Sequence, residues 1–348
     1  LSCENMTYLP QKVRLAHPDQ VRGVAILLMI MVHAAATWTP ASISKTSTLA
    51  FIVSGLGGLA APLFITLVGW GVAKSKLTTN KIIIRSSFLL VGQLIVNICA
   101  PHLFNPFTPG VLSLIALIIL FAPIWLGLVR YKTKSGVQLW VPIITITLFL
   151  PAVFPTIFGP SQWGPRVEAS TISSVISHSF LTGTYPLIPW LSFAIIGALI
   201  ADGKTQNSQT FFLIGVTTFL SFVIYSSISS KELALPHGDA IMTFFPANTP
   251  FLISATLGVG IIWEVMKKVP AQQVLINLGQ RSLTIYILHF LPFSLLYNLD
   301  ENGNWSATFC AVIVLIYTLM WLPLAHLHAK HIPNLSLEKL LRNLQTKT

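Results

Sequence analysis

The sequence predicts an all-α integral membrane protein with about ten transmembrane helices and both termini in the cytoplasm. Its 348 residues are 53% hydrophobic and only 9% charged, and the mean hydropathy is +0.74. Ten apolar runs have roughly the 17–25 residues that a helix needs to cross about 30 Å of hydrocarbon. The basic residues lie almost entirely in alternate loops between these runs, as the positive-inside rule expects.

The predicted spans follow one another with polar connections and are numbered in chain order. They occupy about residues 20–38, 49–73, 82–99, 109–129, 137–157, 185–201, 210–228, 250–267, 282–299 and 305–327. No connection resembles a separate soluble module, so residues 1–348 are predicted to form a single membrane domain. Residues 1–19 are its predicted cytoplasmic N-terminal segment, and residues 328–348 are its predicted cytoplasmic tail.

The basic residues set the predicted orientation. With the N-terminus in the cytoplasm, only Lys45, Arg166 and Lys231 of the 21 Lys and Arg residues fall on the other side. The net charge of +11 is therefore mostly a topology signal, and no nucleic-acid partner is expected. The positive cytoplasmic mouth suits anionic lipid and a phosphorylated cytosolic ligand.

The three cysteines predict no cross-link and no metal centre. Cys3, Cys99 and Cys310 show neither pairing nor the spacing of metal ligands. A disulfide framework and a resident metal are therefore not expected.

Span 1 carries three polar residues at defined helical positions. Asp19 and Arg22 are three residues apart, so they are neighbours on one helical face and can form an ion pair. His33 lies about 16 Å further along the helix, three turns beyond Arg22 and close to the same face. It therefore lies inside the membrane, where both a packing role and a catalytic role are open.

Span 3 also places polar groups behind a basic entrance. Lys81 and Arg85 mark its cytoplasmic end, and Gln93 and Asn97 follow Arg85 on one helical face. The two amides have two interpretations, because they can line a path or bind helices together.

Span 9 repeats this arrangement, with Arg281 and Ser282 ahead of Tyr286 and His289.

The two longest outer segments are 158–184 and 229–249, and the first is predicted to cap a cavity. The first has a stretch too short to span and a GTYP turn, which predicts a helix in or dipping into the outer face. The second contains two prolines and small polar residues that predict irregular backbone before span 8. Asp300 and Glu301, after span 9, are predicted to be solvated loop charges. Candidates for contacts with an outer substrate are His178, Trp190, His237, Asp239 and Asn248.

Imidazole inside the membrane behind a basic mouth suits two kinds of chemistry. An acyl-CoA-dependent enzyme needs cations for phosphates and a base that takes a proton from an attacking amine or hydroxyl. A secondary transporter or exporter would use His33 and His289 as proton relays without CoA. In a third interpretation, a structural or lipid-scrambling protein, the polar residues only pack helices. The residues alone leave these alternatives open.

Four motifs resemble one known superfamily in the same order. PDQVRGVAILLMIMVH, ending at His33, is similar to the first span of transmembrane acyltransferases, which is marked by an acidic residue, Arg-Gly and a histidine. APLFITLVGWGVAKS, GTYPLIPWLSFAIIGALIADG and LGQRSLTIYILHF begin at Ala61, Gly183 and Leu278. They resemble the branch that includes heparan-α-glucosaminide N-acetyltransferase and its bacterial relatives. The similarity covers nearly the whole chain.

The resemblance implies transfer of an acyl group, usually acetyl from acetyl-CoA, to an acceptor across the membrane. His33 would then be the general base, oriented by Asp19 and Arg22 or by another partner. The donor would be held at the mouth and along the path by Arg85, Lys81, Arg281, Tyr286, Gln93, Asn97 and His289.

Two departures from the family pattern bear on these roles. The lysosomal branch places its active histidine after span 1, whereas TWTPASISKTSTLAFIVSGL has none. The role of His33 therefore follows the O-acyltransferase pattern. Those enzymes often show a second arginine near Arg85, and Lys81 is the nearest basic residue in this sequence.

The sequence thus predicts a multi-pass acetyltransferase of the prokaryotic plasma (inner) membrane. It would move acetyl from cytosolic acetyl-CoA to an amino or hydroxyl group of an extracytoplasmic sugar or glycan. The expected partners are membrane lipid, the donor and this carbohydrate acceptor.

Overall fold

The computed structural model describes residues 15–39, 48–134, 136, 138–204 and 208–346. The basic residues Lys12, Arg14, Lys45 and Lys347 lie outside this part of the chain. The structure is 74% helical with almost no sheet, so the predicted all-α polytopic class is confirmed. Within the described ranges, seven helices are long and apolar enough to cross a membrane, or up to nine if each of two bent pairs is one span.

The helices are numbered in chain order. They are α1 Ala16–Thr37, α2 Thr48–Gly57, α3 Ala60–Lys74, α4 Thr79–Cys99, α5 Val111–Leu120, α6 Ala122–Arg130, α7 Trp140–Val153, α8 Gly164–Val167, α9 Ile172–Ser177, α10 Leu187–Ala201, α11 Ser208–Ser229, α12 Thr249–Lys268, α13 Gln273–Gln280, α14 Ser282–Leu288, α15 Phe290–Leu296, α16 Leu299–Asn302, α17 Ala307–His331 and α18 Leu337–Thr346. A 3-10 turn spans Pro155–Phe158, and a π-helical turn spans His178–Thr182.

One predicted span is bent, a second follows a bend in the chain, and a third is short. The chain bends by 65° between α5 and α6, where Pro123 in the first turn of α6 lacks the N–H that a continuous helix would use. It bends by 48° between Ile172–Thr182 and α10. Predicted span 5 corresponds to α7, whose 14 residues cover only about 21 Å at 1.5 Å per residue. The predicted count of about ten spans therefore remains a prediction.

The core forms where glycines let helices approach closely. In the α3–α10 pair, a side chain at Gly69 would meet the Ala194 carbonyl, and one at Gly197 would meet the Thr66 carbonyl. In the α1–α13 pair, a side chain at Gly23 would meet the Leu275 carbonyl. At the periphery, no residue in the apolar window of α11 is buried. This exposed apolar helix suits contact with lipid.

The outer segment before α12 is more regular than the sequence predicts. It contains two short parallel strands, β1 Ala234–His237 and β2 Met242–Phe245, with Leu235 opposite Thr243. Gly238 between them has a φ of +105°, a conformation that glycine adopts without steric cost. The prediction of irregular backbone was wrong for these residues, because β-branched and aromatic side chains in MTFF favour a strand.

Candidate active site

Two histidines from distant parts of the chain meet inside the helical bundle. Nδ1 of His33 on α1 lies 2.8 Å from Nε2 of His289, which lies between α14 and α15. The two rings are almost coplanar, with an angle of 8° and a centroid separation of 5.1 Å. These are the distance and geometry of a hydrogen bond in the ring plane. His289 is completely buried, whereas His33 is only partly buried.

The ring of His289 is also bound on its other side. Its Nδ1 lies 3.1 Å from the Ile285 carbonyl one helical turn earlier. Its main-chain carbonyl accepts a hydrogen bond of 2.7 Å from the Tyr317 hydroxyl. The pair is therefore fixed by groups from α14 and α17.

Aromatic side chains surround the histidine pair. The Phe290 ring centroid lies 5.0 Å from that of His33 and 4.3 Å from that of His289. Phe293 meets His289 edge-on at 5.8 Å, as does Tyr286. Because these rings are large and mostly buried, they leave little room for water around the His289 ring.

Asp19 and Arg22 do not contact His33. Arg22 forms an ion pair of 2.8 Å with Asp19, and the second Asp19 oxygen accepts a hydrogen bond of 3.1 Å from Gln280. These contacts join the start of α1 to α13. His33 is fourteen residues beyond Asp19 on the same continuous helix, about 21 Å away. The partner of His33 in the structure is therefore His289 rather than the acid.

Gln93 and Asn97 hold the loop between α4 and α5. Gln93 donates a hydrogen bond of 2.8 Å to Asn97 and accepts one from the backbone N–H of Leu112, in the first turn of α5. Asn97 donates to the carbonyls of Pro106 and Thr108, each at 2.9 Å. Their bonds satisfy buried backbone groups, as expected if these amides hold parts of the fold together, and their role along a donor path stays a prediction.

Lys81, Arg85 and Arg281 are the basic residues predicted to form the mouth, and two of them, Arg85 and Arg281, lie beside the C-terminal helix α18. Arg85 on α4 donates to Gln345 at 3.4 Å, and Lys81 lies one turn earlier on α4. Arg281 donates to Nδ1 of His328 at 2.9 Å. Burial lowers the pKa of Arg281, while the nearby Glu338 carboxylate opposes this shift.

Glu338 attaches α18 to the start of α14. Its carboxylate accepts hydrogen bonds from the backbone N–H groups of Leu283 and Thr284 at 2.7 and 3.2 Å, and from the Thr284 hydroxyl at 2.6 Å. Through these bonds and the contact between Arg85 and Gln345, α18 connects α14 to α4. Sequence reasoning missed this role, although an acid followed by leucines at helical spacing marks an amphipathic helix in the tail.

Of the predicted acceptor residues, two are hydrogen-bonded within the fold and a third is completely buried, with no hydrogen-bond partner for its indole N–H among the described residues. His178 uses both ring nitrogens, on the Thr182 hydroxyl at 2.8 Å and the Glu168 carbonyl at 3.0 Å. Asn248 caps α12 through Phe251 and also binds the Ile241 carbonyl. Trp190 is completely buried among aromatic rings, including those of Tyr185 and Phe244.

The other two candidates are more accessible. His237 on β1 is partly buried, and Asp239 is exposed and pairs with Lys231 at 3.2 Å. They are therefore better placed than the other three to meet an outer ligand.

Arg166 organises the outer segment, a role that the sequence analysis did not assign. Its side chain is buried and donates to the carbonyls of Phe158, Pro160, Thr182 and Gly183 at 2.6–3.1 Å. Burial lowers its pKa to about 10. It thereby joins the segment before α8 to the turn before α10.

Asp300 also differs from its predicted position. It is buried, with one carboxylate oxygen lacking a hydrogen-bond partner among the described residues, so the prediction of a solvated charge was wrong for this residue. Local folding explains the difference, since the Trp305 backbone N–H donates a hydrogen bond to the Asp300 carbonyl and closes the turn around this residue. Glu301 is exposed as predicted.

One known family matches the chain. The family described as heparan-alpha-glucosaminide N-acetyltransferase, catalytic, matches residues 14–235. This segment is more than half of the chain and includes His33 and Arg85, but it ends before His289. No curated protein matches the chain.

Proposed function

The chain belongs to the heparan-alpha-glucosaminide N-acetyltransferase catalytic family, and from this membership we propose that it is a membrane-embedded acetyltransferase with His33 as general base. It would use cytosolic acetyl-CoA and acetylate an amino or hydroxyl group on the outer side of a prokaryotic plasma membrane. The single observation that supports this site is the bond of 2.8 Å between His33 and His289 inside the apolar bundle. It holds an imidazole in a defined orientation, with part of its surface accessible.

In the proposed reaction, His33 acts while the acceptor attacks the thioester. An acceptor nitrogen or oxygen bonds to the acetyl carbonyl carbon, the carbon–sulfur bond breaks, and Nε2 of His33 takes the acceptor proton. The departing thiolate then receives that proton, giving acetylated acceptor and free CoA. A positioned base of this kind contributes about 100- to 10,000-fold to the rate.

The donor would bind at the basic mouth. Lys81, Arg85 and Arg281 supply the positive charge that suits the phosphates of CoA. All three lie within two turns of a helix start on the side predicted to be cytoplasmic, and α18 covers part of this region. Tyr286 lies between the mouth and the histidine pair in the order of the chain, beside His289.

The acceptor would approach from the opposite side. His237 and Asp239 belong to the β1–β2 region next to Phe244 and Phe245, whose rings contact Tyr185. Polar groups beside aromatic faces suit a bound sugar, which has both hydroxyl groups and apolar ring faces. The family description supports an amino sugar as the acceptor.

A proton-coupled transporter is the second candidate, because a hydrogen-bonded histidine pair inside the membrane also suits proton relay. Purified protein incubated with radiolabelled acetyl-CoA distinguishes the two. An acetyltransferase should bind the donor, hydrolyse it slowly and label an amino-sugar acceptor, whereas a transporter should do none of these.

Substitution of His33 tests the site itself. His33→Ala should lower acetyl transfer by roughly 100- to 10,000-fold while donor affinity and thermal stability persist, because the base acts only during attack. The exposed His331 provides the control, and His331→Ala should retain full activity. Near-normal activity per folded molecule in His33→Ala would remove His33 from the mechanism.

A further inference from the structure

We infer that His289 is the positioning residue for His33, and that it selects the tautomer in which Nε2 of His33 is free to accept a proton. The catalytic meaning of this inference rests on the proposed function. The tautomer itself is a property of the folded chain and can be measured without any reaction.

The Ile285 carbonyl determines which nitrogen of His289 carries the hydrogen. A carbonyl oxygen can only accept, so Nδ1 of His289, 3.1 Å away, must carry the hydrogen. A neutral imidazole has one N–H group and one lone pair. Nε2 of His289 is therefore the nitrogen with the lone pair.

The tautomer of His289 in turn determines that of His33. Nε2 of His289 can only accept, so Nδ1 of His33 must donate across the distance of 2.8 Å. The remaining nitrogen of His33, Nε2, then has the lone pair and is the basic atom of the pair. The ring angle of 8° places the donated hydrogen in the plane of the accepting lone pair, which is the favourable geometry.

The surroundings of His289 hold this tautomer in place. Its ring is completely buried and is packed against Phe290 and Phe293. The Tyr317 hydroxyl fixes its main chain. A ring so confined cannot flip to exchange its two nitrogens without moving these neighbours.

The two histidines therefore have different tasks. His289 cannot take the acceptor proton, because its lone pair is already bound to His33 and its ring has no exposed surface. His33 is partly accessible, and its Nδ1–H bond strengthens when Nε2 takes a proton, since a charged donor makes the stronger hydrogen bond. His289 thus orients the base and stabilises the imidazolium.

Nitrogen NMR of ¹⁵N-histidine-labelled protein tests the tautomer directly. In the unmodified protein, His33 should show a protonated Nδ1 and an unprotonated Nε2, assigned by the loss of its signals in His33→Ala. Observation of the opposite tautomer would overturn the inference, whether or not the protein transfers acetyl groups.

Two substitutions of His289 test the effect on catalysis. Gln places an amide oxygen near the position of Nε2 and can still accept from His33, whereas Leu fills similar space but cannot accept. His289→Leu should lower kcat at least about 100-fold, with donor KM nearly unchanged. His289→Gln should recover most of that loss, and thermal stability shows whether each variant folds.

The outcomes separate this inference from the proposed function. In one contrary outcome, His289→Leu and His289→Gln both fold and lose activity equally. In the other, neither variant loses activity while His33→Ala is inactive. Either outcome would show that His289 is not the positioning residue, and the proposal of His33 as the base would stand. If the unmodified protein transfers no acetyl group, the proposed function fails, and the NMR result still decides the tautomer.

Discussion

Polar residues inside the fold divide into those with all polar atoms bound and those with an available atom. Gln93, Asn97 and Arg166 belong to the first group, because each satisfies buried carbonyls or amides of nearby segments. His33 belongs to the second, since its bond to His289 uses one ring nitrogen and the side chain keeps accessible surface. Sequence spacing placed Gln93, Asn97 and His33 inside the membrane without distinguishing these roles, and it placed Arg166 among the outer basic residues.

Arg85 and Arg281 are expected to contribute to donor affinity. Replacing either with Gln should weaken CoA binding by about 1.5–3 kcal/mol, the usual worth of a charged hydrogen bond. Turnover at saturating donor should change less, because these cations lie away from the reacting atoms. Equilibrium binding of CoA measures the effect.

Lys268 provides the control for this measurement, because it is basic and exposed at the end of α12. Lys268→Gln should leave CoA affinity unchanged. If all three variants bind CoA alike, the arginines mark the membrane edge and attach α18 rather than hold the donor.

Elements of this fold are predictable where a helix is long, straight and apolar. Predicted spans 1, 3 and 8 correspond closely to α1, α4 and α12. Spans 4 and 5 do not, since one is bent by 65° and the other is short. The difference arises because hydropathy reports only the length of an apolar run, whereas Pro123 and the packing of neighbouring helices decide whether the helix continues.

The α3–α10 crossing should be sensitive to a single added methyl group. Gly69→Ala places a methyl against the Ala194 carbonyl, and overpacking of this kind typically costs about 1–3 kcal/mol. The melting temperature of the purified protein should therefore fall.

Gly71, two residues later on the same helix, is the matched control. A side chain there meets nothing within 4 Å, so Gly71→Ala should be neutral or slightly stabilising through higher helix propensity. Equal melting temperatures for the two variants would show that backbone approach does not limit this crossing.

The whole molecule has a predicted orientation that follows from its charges. Three of its 21 basic residues are predicted to lie outside, and the proposed direction of acetyl transfer depends on this asymmetry. The donor mouth would face the cytosol, and the region of β1 and β2 would face outward.

Cysteine labelling in intact cells tests this orientation. In a background in which Cys3, Cys99 and Cys310 are replaced, a cysteine at Lys132 or Lys268 should resist an impermeant thiol reagent. A cysteine at Lys231, which is exposed, should react. Permeabilised cells provide the control, since all three positions should then label. The reverse pattern in intact cells would contradict the cytosolic mouth.

The sequence by itself determined the class of the protein and its family, and it singled out His33 and His289 as candidates for the site. These properties depend on composition, on the length of apolar runs and on short motifs, all of which are local along the chain. The family match over residues 14–235 confirmed the resemblance.

Only the tertiary structure decided which polar groups meet. His33 and His289 are 256 residues apart and bond at 2.8 Å, while Asp19, much nearer in sequence, is occupied by Arg22 and Gln280. Helical spacing gives the face and depth of a residue within its own helix. It contains no information about which other helix packs against that face, because glycine crossings and side-chain shape far along the chain determine that contact.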